Sequence, residues 1–109
     1  MGYLTYGNTA ERIEIDDQTL THLRMVAMTK LRRNESFPLT LEMADGVIET
    51  LWVHASIPLR IAMDRPCAID RDMVTAMMHA AGSAGGLDLT REEFASAVST
   101  RRSLHAIGA

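Results

Sequence analysis

A chain of 109 residues with 47% hydrophobic and 23% charged residues has the composition of one globular domain rather than of a disordered segment. Its net charge of −3 gives no overall reason to bind nucleic acid or an acidic membrane surface, and its single cysteine, Cys67, excludes an intrachain disulfide. No apolar run approaches the roughly 20 residues that span a bilayer. We therefore expect a cytoplasmic protein with no membrane partner.

The first predicted elements are two strands joined by a turn. Residues 3–6 have the character of a short strand, and residues 7–9, Gly-Asn-Thr, are typical of a turn. Polar and apolar residues then alternate over residues 12–15, as they do in a half-buried strand. The sequence therefore predicts an N-terminal hairpin.

A helix is predicted over residues 18–33. Asp16 and Asp17 are suitable cap residues, and their charge favours the positive end of the helix. His22, Thr29 and Arg33 are predicted to lie on the face opposite the apolar stripe. That stripe, which we expect to pack on a sheet, comprises Leu20, Leu23, Val26, Ala27 and Leu31, with Met28 at its edge.

Three strands are predicted between residues 37 and 63. Asp45 and Gly46 follow the first of them and indicate a two-residue hairpin turn of type I′. Residues 47–54 form the second strand and are apolar on both faces, including Ile48 and Trp52, which predicts a central strand. The third strand covers residues 57–63, and Pro58 near its start predicts an edge position.

A second helix is predicted over residues 71–81, capped by Asp70 or Asp72 and ended by glycines. Residues 87–89 fit no single element. Thr90 and Glu93 then have the spacing of a capping box, which predicts a short last helix. The residues assigned to this helix are Phe94, Ala97 and Val98, with Arg101 and Arg102 at its end.

The predicted order of elements is β-β-α-β-β-β-α, followed by the short C-terminal helix. Tight links, and a helix between two groups of strands, favour an antiparallel sheet of about five strands with helices on one face, which is an α+β fold. We expect a single domain over residues 1–109, with a core at about residues 1–89 and a variable segment at residues 90–109.

We predict no catalytic residue, no metal site and no cofactor. The histidines lack the spacing of helical metal ligands, and Cys67 follows a proline without an activating signature. The glycine run at residues 83–86 follows a helix, whereas phosphate-binding loops precede one. Caps and solvated strand positions account for the carboxylates near the first helix. The histidines are His22, His54, His79 and His105, and the carboxylates are Glu11, Glu14, Asp16 and Asp17.

The function predicted from these features is that of a small non-catalytic interaction module that acts through surface complementarity. A domain of two layers covers only one face of its sheet, so a patch with Tyr6, Ile48 and Trp52 would remain exposed. A homodimer is the commonest way to cover such a patch in a small domain. We therefore expect a homo-oligomer, with a dimer favoured.

Two alternative functions stay open. The first is a nucleic-acid-associated protein, in which basic residues of the first helix neutralise phosphates. These residues are Arg24, Lys30, Arg32 and Arg33. The second is a small-molecule-binding or catalytic domain whose site forms in a pocket or at a dimer interface.

Four runs of sequence resemble a family of roughly 100-residue actinobacterial proteins of uncharacterised function. They are residues 1–8, 15–24, 30–37 and 51–60, and the similarity extends over about residues 1–89. Many members carry the automatic label "ATP-dependent DNA ligase". Adenylating ligases resemble one another in a nucleophilic lysine within Lys-x-Asp-Gly, whereas Lys30, the only lysine, is followed by Leu-Arg-Arg. The resemblance therefore implies no catalytic residue.

Overall fold

A computed structural model describes residues 1–94 of the protein and has an α+β architecture. The fold class predicted from the sequence is confirmed, and so is the order of elements as far as the second helix. The elements are β1 (Gly2–Tyr6), β2 (Ile13–Ile15), α1 (Asp17–Arg32), β3 (Phe37–Glu42), β4 (Ile48–Val53), β5 (Leu59–Ala62), α2 (Arg71–Ala81) and β6 (Leu87–Asp88). Residues 92–94 begin a further helix.

The strands form two three-stranded sheets instead of the single sheet expected. Sheet 1 has the order β2-β1-β5 and is antiparallel, whereas sheet 2 has the order β4-β3-β6, with β3 antiparallel to β4 and parallel to β6. The chain turns away from sheet 2 after β4, where the Ile57 amide donates to the His54 carbonyl at 3.1 Å. Strand β5 then pairs with β1 at the edge of sheet 1, which agrees with the position of Pro58.

The prediction that residues 47–54 form a central strand is wrong, because β4 lies at the edge of sheet 2 and β3 is central. Phe37 and Leu39 of β3 are buried, whereas Ile48 and Trp52 of β4 are exposed. Nothing within residues 1–94 covers that side of β4. A strand with apolar residues on both faces is buried on both faces only where a layer of other elements covers each side of its sheet. The pattern of apolar residues along the strand does not show whether the second layer is present.

The predicted hairpin between β3 and β4 is confirmed, but its turn has a different geometry. The Met43 amide donates to the Val47 carbonyl at 2.8 Å, and the Gly46 amide donates to the Met43 carbonyl at 2.9 Å. The loop therefore contains three residues, of which Gly46 alone has a positive φ, at 87°. A type I′ turn needs two such residues, whereas a type I turn followed by one left-handed residue needs only the glycine.

Helix α1 begins and ends as the sequence predicts. Its N-cap is Asp16, whose carboxylate accepts a hydrogen bond from the Thr19 amide at 3.2 Å. At the other end, the Glu35 amide donates to the Lys30 carbonyl at 2.9 Å, and Asn34 takes a left-handed conformation with φ 62°. This Schellman arrangement satisfies carbonyls of the last turn that would otherwise lack partners.

The apolar stripe of α1 is only partly confirmed. Leu31 is half-buried, and Met28 is 60% exposed. His22, which was predicted to face away from the core, is fully buried because the segment before α2 packs over the first turns of α1. The stripe residues that are buried are Leu20, Leu23, Val26 and Ala27.

Helix α2 packs on α1 and on β3 and β6 of sheet 2. Its N-cap is Asp70, whose carboxylate accepts from the amides of Asp72 and Met73 at 3.0 and 3.4 Å. After α2 the chain passes so close to Pro38 that a Cβ atom on Gly86 would lie 2.2 Å from the proline Cγ. Gly86 also has a φ of 70°, so a glycine is needed for β6 to reach β3.

Thr90 does not cap the last helix as predicted. Its amide and its hydroxyl both donate to the carboxylate of Asp88, at 2.9 and 2.5 Å, and the helix begins at residue 92. Asp88 therefore organises the turn after β6. The remainder of the predicted helix, including Ala97, Val98, Arg101 and Arg102, lies outside the described residues.

One continuous core is shared by the two sheets and the two helices. Its fully buried side chains include Leu4 of sheet 1, Leu20 of α1, Phe37 of sheet 2 and Met77 of α2. Within residues 1–94, no helix is both long and apolar enough to cross a membrane.

Truncation of Leu23 should destabilise the domain much more than truncation of Met28 on the same helix. Leu23 is buried, so Leu23→Ala should lower the free energy of unfolding by about 2–5 kcal/mol. Met28→Ala should change it by no more than about 0.5 kcal/mol, because this side chain is largely exposed. Chemical denaturation of both variants measures the difference, and equal losses would contradict the packing of α1 described above.

Candidate protein-contact surfaces

The outer face of sheet 2 carries exposed apolar side chains on its edge strand. Ile48 is 61% exposed and Trp52 is 60% exposed. Cross-strand pairing places Trp52 opposite Pro38 and Thr50 opposite Thr40, and the two threonine hydroxyls share a hydrogen bond of 2.8 Å. This face therefore presents an aromatic and an aliphatic residue on a backbone that pairing with β3 holds in place.

The free edge of β4 presents unpaired backbone groups at alternate residues. Backbone groups of successive residues in an edge strand point alternately toward the neighbouring strand and away from it. The Val47 carbonyl accepts from the Met43 amide of the β3–β4 hairpin, so the backbone groups of Ile48, Thr50 and Trp52 point away from β3. The Trp52 carbonyl accepts a hydrogen bond from the Tyr6 hydroxyl. Among the described residues, the outward groups of Ile48 and Thr50 have no such partner.

Tyr6 joins the two sheets and is less exposed than Ile48 and Trp52. Its ring is half-buried, and its hydroxyl donates to the Trp52 carbonyl and accepts from the His54 amide at 3.0 Å. The structure thus brings Tyr6 and Trp52 together, as the predicted patch requires. The role of Tyr6 is to fix the end of β4 against sheet 1.

Two of the four basic residues considered for nucleic acid, Arg24 and Arg32, line one groove. Lys30 has a side chain only 13% exposed, and its Nζ lies 3.2 Å from Oε1 of Glu35. Arg33 forms the C-cap of α1 and lies apart from the groove that Arg24 and Arg32 line. Arg24 and Arg32 thus line one groove, whereas Lys30 and Arg33 do not line it.

A buried polar cluster that the sequence analysis missed connects α1 to the segment before α2. The Thr21 hydroxyl donates to the Asp17 carbonyl at 2.7 Å and accepts from the Cys67 amide at 2.9 Å. His22 Nδ1 lies 2.6 Å from the Gln18 carbonyl, and its Nε2 lies 2.8 Å from the Asp70 amide. A carbonyl only accepts and an amide only donates, so these bonds require the neutral ring with its proton on Nδ1.

The signal that could have identified this cluster is weak. His22 lies one turn before Val26, so the two side chains share a helix face. A polar residue on the same helix face as an apolar one is usually assigned to the edge of the apolar stripe. Only the distant amides of Cys67 and Asp70 show that Thr21 and His22 are covered.

The other titratable residues form no candidate metal-binding group among residues 1–94. No group of three or more histidine, cysteine or acidic residues there could hold a metal ion. His54 accepts at Nδ1 from the Ser56 amide at 3.0 Å, which stabilises a local turn. Cys67 is a half-buried free thiol.

The carboxylates predicted to cluster near α1 are divided between two places. Asp16 caps the helix, and Asp17 lies 3.7 Å from the N-terminal amine. Glu11 and Glu14 instead line an acidic cleft of about 690 Å³ between the tips of the two hairpins. The other carboxylates of that cleft are Glu42, Asp45 and Glu49.

Loss of the Thr21 hydroxyl should loosen the segment before α2. Thr21→Val removes the partner of a distant amide, and the cost should exceed that of Thr29→Val by about 1–2 kcal/mol. Thr29 is the matched control because its hydroxyl bonds only to the Met25 carbonyl in its own helix, at 2.8 Å. Amide hydrogen exchange at Cys67 should accelerate in Thr21→Val alone, and unchanged exchange there would show that the bond does not hold the segment.

Comparison with known proteins places the chain without assigning it an activity. No curated protein and no solved structure matches it significantly. A family model described as "Domain of unknown function (DUF7882)" matches residues 1–92 and confirms the resemblance to an uncharacterised family at that level. Its description names no activity, so it transfers no role to any residue. The chain therefore belongs to this family, DUF7882.

Proposed function

We propose that the protein is a non-catalytic interaction module that binds a second copy of itself through β4. The observation that carries this proposal is the open edge of β4, on which Ile48 and Trp52 are both exposed. Soluble proteins usually protect such edges with lysine, proline or a covering segment. Strand β4 contains neither lysine nor proline, and its backbone groups at Ile48 and Thr50 face outward.

Antiparallel pairing of β4 with the β4 of a second copy has one favourable register. With Thr50 opposite its own symmetry mate, Trp52 of each copy lies beside Ile48 of the other. Cross-strand pairs of an aromatic and a β-branched residue stabilise sheets by roughly 0.2–1 kcal/mol each. In this register the two copies pair through the outward backbone groups of Ile48, Thr50 and Trp52, so the hydrogen bonds between β4 and β3 are kept.

The charged residue of β4 supports the same register. Glu49 lies opposite Leu51 of the second copy when Thr50 is at the two-fold axis. A shift that centres the axis on Glu49 would place two carboxylates directly opposite each other, which is destabilising. The strand is therefore self-complementary in one alignment and repulsive in the nearest alternative.

The Tyr6 hydroxyl is compatible with this pairing. It donates to the Trp52 carbonyl, which has a second lone pair for the amide of Ile48 in the other copy. Because Tyr6 holds the end of β4 in place, little order is lost on association. Pre-organised surfaces of this kind bind with a smaller entropic cost.

Dimerisation should be abolished by changes on the open edge of β4. Trp52→Glu places a charge on the contact. Thr50→Pro removes an outward amide and the hydroxyl bond to Thr40, but it keeps the backbone bonds to β3. Size exclusion with light scattering should show a dimer for the unaltered protein and a monomer for both variants. Their thermal unfolding should remain cooperative, because both side chains are exposed.

Ile57→Glu is the matched control, since Ile57 is an exposed apolar residue outside β4. This variant should remain a dimer. A monomeric unaltered protein at high concentration would contradict self-association. A dimer that survives Thr50→Pro but not Trp52→Glu would contradict edge pairing and support contact through the sheet face.

The ligase label that the sequence resemblance suggests should not apply to this chain. Lys30 lacks the Lys-x-Asp-Gly context, and its Nζ is paired with Glu35. Incubation with labelled ATP and magnesium ions should therefore leave the protein unlabelled. Covalent AMP on Lys30, detected by mass spectrometry and lost in Lys30→Arg, would overturn the non-catalytic proposal.

A further inference from the structure

We infer that a groove along α1 binds an acidic amphipathic helix of a partner protein. The groove lies between the exposed side of α1 and residues 66–69, and it encloses about 420 Å³. It is separate from β4 and shares no lining residue with the self-association surface.

The groove exposes flexible apolar side chains. Met25 and Met28 line it from α1, and Pro66 and Ile69 line it from the opposite wall. Met25, Met28 and Ile69 are all exposed to solvent in the described structure. Methionine adapts its shape to a partner, and helix-binding grooves in other proteins use this property.

The two walls of the groove are fixed to each other. The Thr21 hydroxyl accepts from the Cys67 amide, and His22 accepts from the Asp70 amide, so both ends of the opposite wall are bonded to α1. A partner would therefore enter a formed groove and would not have to order the loop. Rigid walls with adaptable side chains suit specific binding of a helix.

Charge selects an acidic partner. Arg24 and Arg32 line the groove and are exposed, and neither takes part in an ion pair within residues 1–94. They are eight residues apart on one helix, which places them about 12 Å apart along its axis. Two carboxylates separated by two turns of a partner helix match that spacing.

A helix fits this groove better than the other anionic partners. The backbone of α1 is bonded internally and offers no edge to an extended peptide, whereas a helix satisfies its own backbone groups. A lipid or nucleic-acid surface would engage the arginines but would leave the concave apolar floor uncovered. The chain's own residues 95–109 carry Arg101 and Arg102 and no acidic side chain, so their charge has the wrong sign.

The test uses a labelled synthetic helix of about 18 residues with a leucine stripe at i, i+4, i+7 and i+11 spacing. Two glutamates two turns apart flank the stripe, and a second peptide carries lysines in their place. Fluorescence anisotropy should show that the acidic peptide binds about tenfold more tightly than the basic one. The double variant Arg24→Glu, Arg32→Glu should reverse this preference, and Met28→Gln, which removes apolar surface without adding charge, should weaken both peptides.

Arg33→Glu is the matched control, because Arg33 is an exposed arginine next to Arg32 but outside the groove. It should leave the preference unchanged, and so should Trp52→Glu, which tests self-association independently. Equal binding of the two peptides, or equal effects of the double variant and of Arg33→Glu, would overturn the inference. It would also be overturned if vesicles of anionic phospholipid or duplex DNA bound through Arg24 and Arg32 while the acidic peptide did not.

Discussion

The hydroxyl of Thr21 and the imidazole of His22 hold the segment between β5 and α2 against the first turns of α1. Both bonds are partly buried and join residues more than 40 positions apart in sequence. Each satisfies a backbone amide that would be costly to bury without a partner. Because Asp70 is also the N-cap of α2, the His22 bond sets where that helix begins and how it meets α1.

The position of α2 determines which faces of the protein are covered. Helix α2 packs on α1 and on β3 and β6, so the inner faces of the two sheets share one core. The outer face of sheet 2 and the far side of α1 receive no layer from residues 1–94. The two surfaces proposed for binding are these uncovered faces, one with a free strand edge and one with a methionine groove between two arginines.

The exposure of Ile48 and Trp52 was predicted for a reason that was partly mistaken. Ile48 and Trp52 were expected to be left exposed on a central strand, yet their exposure follows from the edge position of β4. Tyr6 belongs to the same region, but it acts as a link between sheets. The basic residues were grouped by their closeness in sequence, and only the structure separates Arg24 and Arg32 from the paired Lys30.

The sequence by itself determined the features that depend on neighbours along the chain. These are the N-terminal hairpin, an aspartate cap at the start of each of the first two helices, the buried stripe around Leu23, and the α+β class, because caps, turns and periodicity act over a few residues. The tertiary structure decided that β5 joins β1, that β6 lies parallel to β3, and that His22 is buried. These outcomes depend on contacts between residues far apart in sequence, which local patterns do not encode.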